Sequence, residues 1–92
     1  MNHQRVYSTI LTPLDNIGWH VRPAGLLVGV ARLFESEIVV RFENRVASAK
    51  SILGILTLEA GRDARIYVSA RGRDAKEAIK AIKGKFSRDQ AH

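Results

Sequence analysis

Between residues 65 and 86 the chain changes its apolar period once, and that change restricts the fold more than any other feature. Ile66, Val68 and Ala70 alternate with Tyr67 and Ser69, the two-residue repeat of a strand with one buried face. Gly72 closes that strand. Asp74 with Glu77 three residues later then forms a capping-box-like start, and Ala75, Ala78, Ile79, Ile82 and Phe86 follow at helical spacing beneath a row of lysines. A strand running directly into an amphipathic helix calls for a sheet with a helical layer on one face.

The rest of the chain extends this pattern. Residues 5–11 are rich in β-branched and aromatic side chains, and Pro13, Asp15, Asn16 and Gly18 then supply turn chemistry. Residues 22–34 read as a helix with Pro23 near its start, where a missing amide hydrogen costs nothing. Its core face is expected to hold Ala24, Leu27, Val28, Ala31 and Phe34. Its outer face should be polar, yet Gly25, Leu26, Gly29, Val30 and Leu33 line it. Residues 37–42 and 45–49 read as a hairpin turning at Glu43 and Asn44, and Ser51 is a good N-cap for a short helix starting at Ile52. The order β-α-β-β-α-β-α predicts an α+β fold: an open-faced β-sandwich with a four-stranded antiparallel sheet and three helices on one face. One domain is expected over residues 1–92, with a core from about 5 to 86 and a frayed tail at 87–92.

Composition narrows the chemistry. Without cysteine there is no disulfide framework, thiolate zinc site or catalytic thiol. The formal net charge of +6 points first to nucleic acid or another acidic partner. Its distribution weakens that reading, since residues 60–92 hold nine Lys and Arg against four Asp and Glu, while residues 1–59 hold six against five. A small basic nucleic-acid-binding domain is the third-ranked reading: no Gly-x-x-Gly clamp and no aromatic-rich RNP-like strand is present, and only 7% of residues are aromatic for stacking. No stretch reaches the roughly 18 apolar residues of a membrane span. The N-terminal MNHQRVYSTIL lacks a signal peptide's long apolar segment, so a cytoplasmic location is expected.

The segment richest in chemistry is Gly18-Trp19-His20-Val21-Arg22-Pro23-Ala24. It sets a histidine where a loop meets a helix N-terminus, with an arginine two residues on. An imidazole keeps a substantial neutral, nucleophilic fraction at cellular pH. A phosphoryl group carried on it would meet outward-facing backbone amides, the positive end of the helix dipole and the Arg22 guanidinium. On its own, His-x-Arg-Pro is a short motif that a surface histidine acting as an indifferent cap also satisfies.

This segment resembles the active-site segment of HPr, the histidine-containing phosphocarrier of the bacterial sugar phosphotransferase system. Ala47-Ser48-Ala49-Lys50-Ser51-Ile52-Leu53-Gly54-Ile55 resembles that family's regulatory-serine region, and residues 66–72 followed by Asp74 resemble its last strand and helix start. The resemblance implies that His20 takes a phosphoryl group on Nδ1 from enzyme I, which draws it from phosphoenolpyruvate, and passes it to a IIA component, with Arg22 positioning it. The protein would be a carrier, not a turnover enzyme, with no cofactor and no metal. Ser51 matches the serine modified by HPr kinase/phosphorylase in part of the family, although capping alone also explains it. Ile52, Leu53 and Leu56 resemble the docking patch. The apolar outer face of the first helix, through Leu26 and Val30, is expected to contact a partner or a second copy of the chain. The second-ranked reading is a regulatory HPr-like protein that acts by binding transcription or metabolic partners.

Overall fold

Each expected strand and helix forms. A computed structural model describes residues 5–13 and 17–87, in the order β1 (Val6–Leu11), α1 (Val21–Ala31), β2 (Glu37–Phe42), β3 (Arg45–Ser48), α2 (Ile52–Leu56), β4 (Ile66–Arg71) and α3 (Ala75–Lys85). Residues 88–92 of the expected tail at 87–92, and the turn residues Asp15 and Asn16, lie outside the described residues. The four strands pair antiparallel in the order β1-β4-β2-β3. Since β1 and β4 are neighbours at opposite ends of the sequence, closing that pair brings the chain's two halves together.

The alternation in β4 does what its period requires. Ile66, Val68 and Ala70 are buried beneath the helices, and Tyr67 and Arg71 face outward on the uncovered side of the sheet. Opposite them, Ile38 and Val40 of β2 are buried, and α3 adds Ala75, Ala78, Ile79 and Ile82 from above. With Leu27, Ile55 and Leu58 these form one continuous core. Burying each valine, leucine or isoleucine among them favours folding by about 1.5–3 kcal/mol. The architecture is an open-faced β-sandwich, with helices over one face of the sheet.

Helix α1 departs from its expected pattern in two respects. Val30, expected on the outer face, is only 5% exposed. The reason is that α1 touches both α2 and α3, so its covered arc is wider than a single packed face. Leu26 is half-buried against the core, and Leu33 is exposed. The helix also stops at Ala31, short of Phe34. Lys50 donates from Nζ to the Phe34 carbonyl at 2.7 Å, and the amides of Glu35 and Ser36 donate to the Asp74 carboxylate, each at 2.9 Å. Those partners hold 34–36 in a non-helical path.

Asp74 thereby takes a different role from the expected capping box. It is the N-cap residue of α3, but its side chain makes no bond to that helix. The Ser36 hydroxyl donates to the same carboxylate. Bonds from Ser36 and Glu35 stabilise the charged form and hold the Asp74 carboxyl below its ordinary value. Arg73 adds a surface ion pair to Glu35 at 2.6 Å, a kind of contact worth between zero and about 1 kcal/mol.

Candidate functional site

The residues before α1 are pinned to the body of the protein. Trp19 is 4% exposed, its indole N–H donates to the Ala64 carbonyl at 3.0 Å, and its backbone amide donates to the Ala60 carbonyl at 3.0 Å. Its ring lies 5.4 Å from that of Phe86, just beyond α3. Gly18, at φ +107°, lies so close to the Gly61 carbonyl that no side chain fits. Sequence reasoning assigned Trp19 no role. A tryptophan directly before a candidate histidine was the available signal, and the structure shows it anchoring that position.

His20 follows this anchor as the N-cap of α1, in extended backbone conformation. Its carbonyl accepts the first helical bond, from the Ala24 amide at 3.0 Å. The imidazole is half-buried, and its Nδ1 accepts from the Arg22 amide at 3.5 Å. Accepting that bond requires a lone pair on Nδ1, so a neutral ring carries its proton on Nε2. At 3.5 Å the bond is at the limit of useful length, and the lone pair is readily released for another partner. Nδ1 thus faces the positive end of an 11-residue helix, where added negative charge is favoured. The exposed Arg22 guanidinium has no hydrogen bond or ion pair with described residues and remains available to an anion.

The short helix α2 lies alongside α1. Ser51 caps it: Oγ accepts from the Gly54 amide at 2.9 Å. Of the three apolar residues singled out there, Leu53 is 72% and Ile52 is 41% exposed, whereas Leu56 is half-buried against the core. Val21, beside His20, is 64% exposed and extends this apolar surface on α1; its position between His20 and Arg22 was legible, its exposure was not. Val30, buried between helices, presents almost no area to a partner.

An open-faced sandwich that offers a half-buried imidazole at a helix N-terminus, with an exposed arginine two residues on, has the form of a histidine phosphocarrier. A family model described as "PTS HPr component phosphorylation site" matches residues 9–87, and the chain belongs to the HPr family of the phosphotransferase system. Among solved structures it is similar to phosphocarrier protein HPr from Bacillus anthracis, at 29% identity over 89% of this chain and 98% of that one, with a TM-score of 0.77. It is similar to HPr from Thermoanaerobacter tengcongensis at 38% identity over 87% and 94%, with a TM-score of 0.76. It is also similar to Crh, a catabolite repression protein of Bacillus subtilis that crystallised as a swapped dimer, at 28% identity over 94% and 93%, with a TM-score of 0.66.

Proposed function

We propose that His20 accepts a phosphoryl group from phosphorylated enzyme I and delivers it to a IIA component. The observation that carries this reading is the bond from the Arg22 amide to His20 Nδ1, which aims that nitrogen at the first turn of α1. In the forward step the Nδ1 lone pair forms a bond to phosphorus as the donor's bond to phosphorus breaks, the bonding pair leaving with the donor, and Nε2 keeps its proton. The new phosphoryl oxygens then face the helix N-terminus, and Arg22 turns toward them. Delivery reverses the sequence with the acceptor as nucleophile. A carrier has to hold the group through diffusion yet present it again, and a half-buried ring meets both demands where a sealed one would not.

Docking is assigned to the apolar surface of Ile52 and Leu53 together with Val21, and Leu56 supports it from below. Leu26 with Leu33 provides a further contact for a partner or for a second copy of this chain, and the swapped Crh dimer supports self-association within the family. Ser51 is proposed as a site for HPr kinase/phosphorylase, because a phosphate there places charge beside apolar surface that a partner must bury. The likeness to Crh favours one second reading, a regulatory protein whose partners sense the state of His20 or Ser51.

The test is incubation with phosphoenolpyruvate and enzyme I, followed by intact-mass measurement. A single acid-labile phosphoryl adduct on the native chain, absent from His20→Ala, is expected. Arg22→Ala should slow its formation by roughly 10- to 100-fold, the loss of one charge-assisted contact. An adduct that survives His20→Ala would overturn the assignment. Normal adduct formation with no onward transfer to any IIA component would favour the regulatory reading.

A further inference from the structure

The basic C-terminal helix has no role in the chemistry at His20, and its charge is arranged. Lys76, Lys80 and Lys83 of α3 fall within about 60° of arc at 100° per residue, along about 10 Å of helix. None forms a hydrogen bond or ion pair with a described residue. Of the nearby carboxylates, Asp74 already accepts from Ser36 and Glu35 pairs with Arg73. Glu77, about 60° from Lys80 around the helix, forms no ion pair with it. The three lysines, with Ile79, Tyr7 and Ser8, line a groove of about 290 Å³ between α3 and β1.

The other wall of that groove is a sheet edge. β1 pairs with β4 on one side only, so its far side presents backbone N–H and C=O groups with no ladder partner among the described strands. Such an edge accepts an extended segment through main-chain bonds, and side chains at alternate positions decide which segment. Alternate side chains on a strand are about 6.7 Å apart. Lys76 and Lys80 are separated along the helix by about 6 Å. We propose that the β1 edge and the α3 lysine stripe form a second docking surface, which takes an extended, acidic segment of a partner protein as a fifth strand.

Charge complementarity selects this occupant. Carboxylates at alternate positions reach successive lysines, while the apolar positions between them fall on the other face of the sheet, beside exposed Val6 and Ile10. Neutral or basic strands leave the lysines unpaired in the groove, which is how lysine beside an edge discourages indiscriminate pairing. The surface shares no residue with the His20 site, so both can be occupied at once.

The experiment titrates the isotope-labelled full chain with a synthetic peptide of about ten residues alternating valine with aspartate or glutamate, followed by amide NMR. Resonances of residues 6–11 and 76–83 should move, with His20 and α2 unaffected. Affinity should fall tenfold or more between about 50 and about 300 mM salt, as expected for paired surface charges. Lys80→Glu with Lys83→Glu should abolish binding of the acidic peptide and create binding of a valine-lysine counterpart. Equal binding of inorganic polyphosphate, or of a peptide of the same composition interrupted by proline, would overturn the proposal by reducing the stripe to a general polyanion contact. Shifts centred on another face, or no effect of the double variant, would overturn it as well.

Discussion

Gly18 lies against Gly61 with no room between them: a Cβ at Gly18 would come within 2.5 Å of the Gly61 carbonyl carbon, whereas a Cβ at Gly61 would meet nothing within 4 Å. Two touching glycines therefore have unequal needs. Gly18→Ala combines a left-handed backbone angle with a backbone clash and should cost about 3 kcal/mol in urea unfolding. Gly61→Ala should stay within about 1 kcal/mol of the native protein. Since Gly18 precedes the Trp19 anchor and His20, Gly18→Ala should also slow phosphoryl acceptance under conditions where it remains folded, and Gly61→Ala should not.

Asp74 joins the start of α3 to the chain after α1, and its protonation should loosen that joint. Hydrogen bonds from Ser36 and Glu35 hold its carboxyl below the ordinary 3.8, so the folded chain takes up this proton less readily than the unfolded one. The contribution is therefore complete above the unfolded value and lost as pH falls through the folded one. Asp74→Asn, which leaves one fewer acceptor for the two amides, should melt lower than the native protein at pH 7. That difference should shrink as pH falls below the ordinary carboxyl value and be lost once pH passes below the lower, folded one. Thermal unfolding of both proteins across pH measures this.

What could be read from the sequence was whatever depends on local period and short motif. β4 and α3 were legible because Ile66, Val68 and Ala70 alternate and Ala75 to Phe86 recur at helical spacing, and His20 because it stands just before Arg22 and Pro23. Contacts distant in sequence were not legible. Asp74 and Glu77 match a capping box by spacing, yet Ser36 and Glu35, which lead into the neighbouring strand β2 but are distant in sequence, win the carboxylate. Val30 reads as outward-facing on a helix with one packed side, and it is buried because α1 meets two other helices. The early end of α1 depends on Lys50 and Asp74, neither of them near Ala31 in sequence.

Gly25 and Gly29 occupy helical positions where a Cβ would meet no other atom within 4 Å. No contact inside the chain requires either to be glycine. Replacing each with alanine should raise stability by up to about 1 kcal/mol, the helix-propensity difference, read as a higher urea midpoint with unchanged slope. A loss of stability in Gly29→Ala would show that α1 is packed differently there.

Ser51 separates structure from regulation because two substitutions pull its roles apart. Ser51→Ala removes the acceptor for the Gly54 amide and should cost about 1 kcal/mol, while the neighbouring Ile52 and Leu53 stay uncharged and exposed. Phosphoryl transfer to and from His20 should then continue at close to the native rate. Ser51→Asp keeps an oxygen at the cap and adds negative charge at a helix start, so its stability should stay within about 0.5 kcal/mol of native. That charge sits beside the surface a partner has to bury, and transfer should slow by tenfold or more, as for an unpaired charge at an interface. Unfolding curves and transfer rates measured on the same two proteins should therefore rank them in opposite order. If Ser51→Ala proved the slower carrier, capping of α2 and not the charge at its start would control docking.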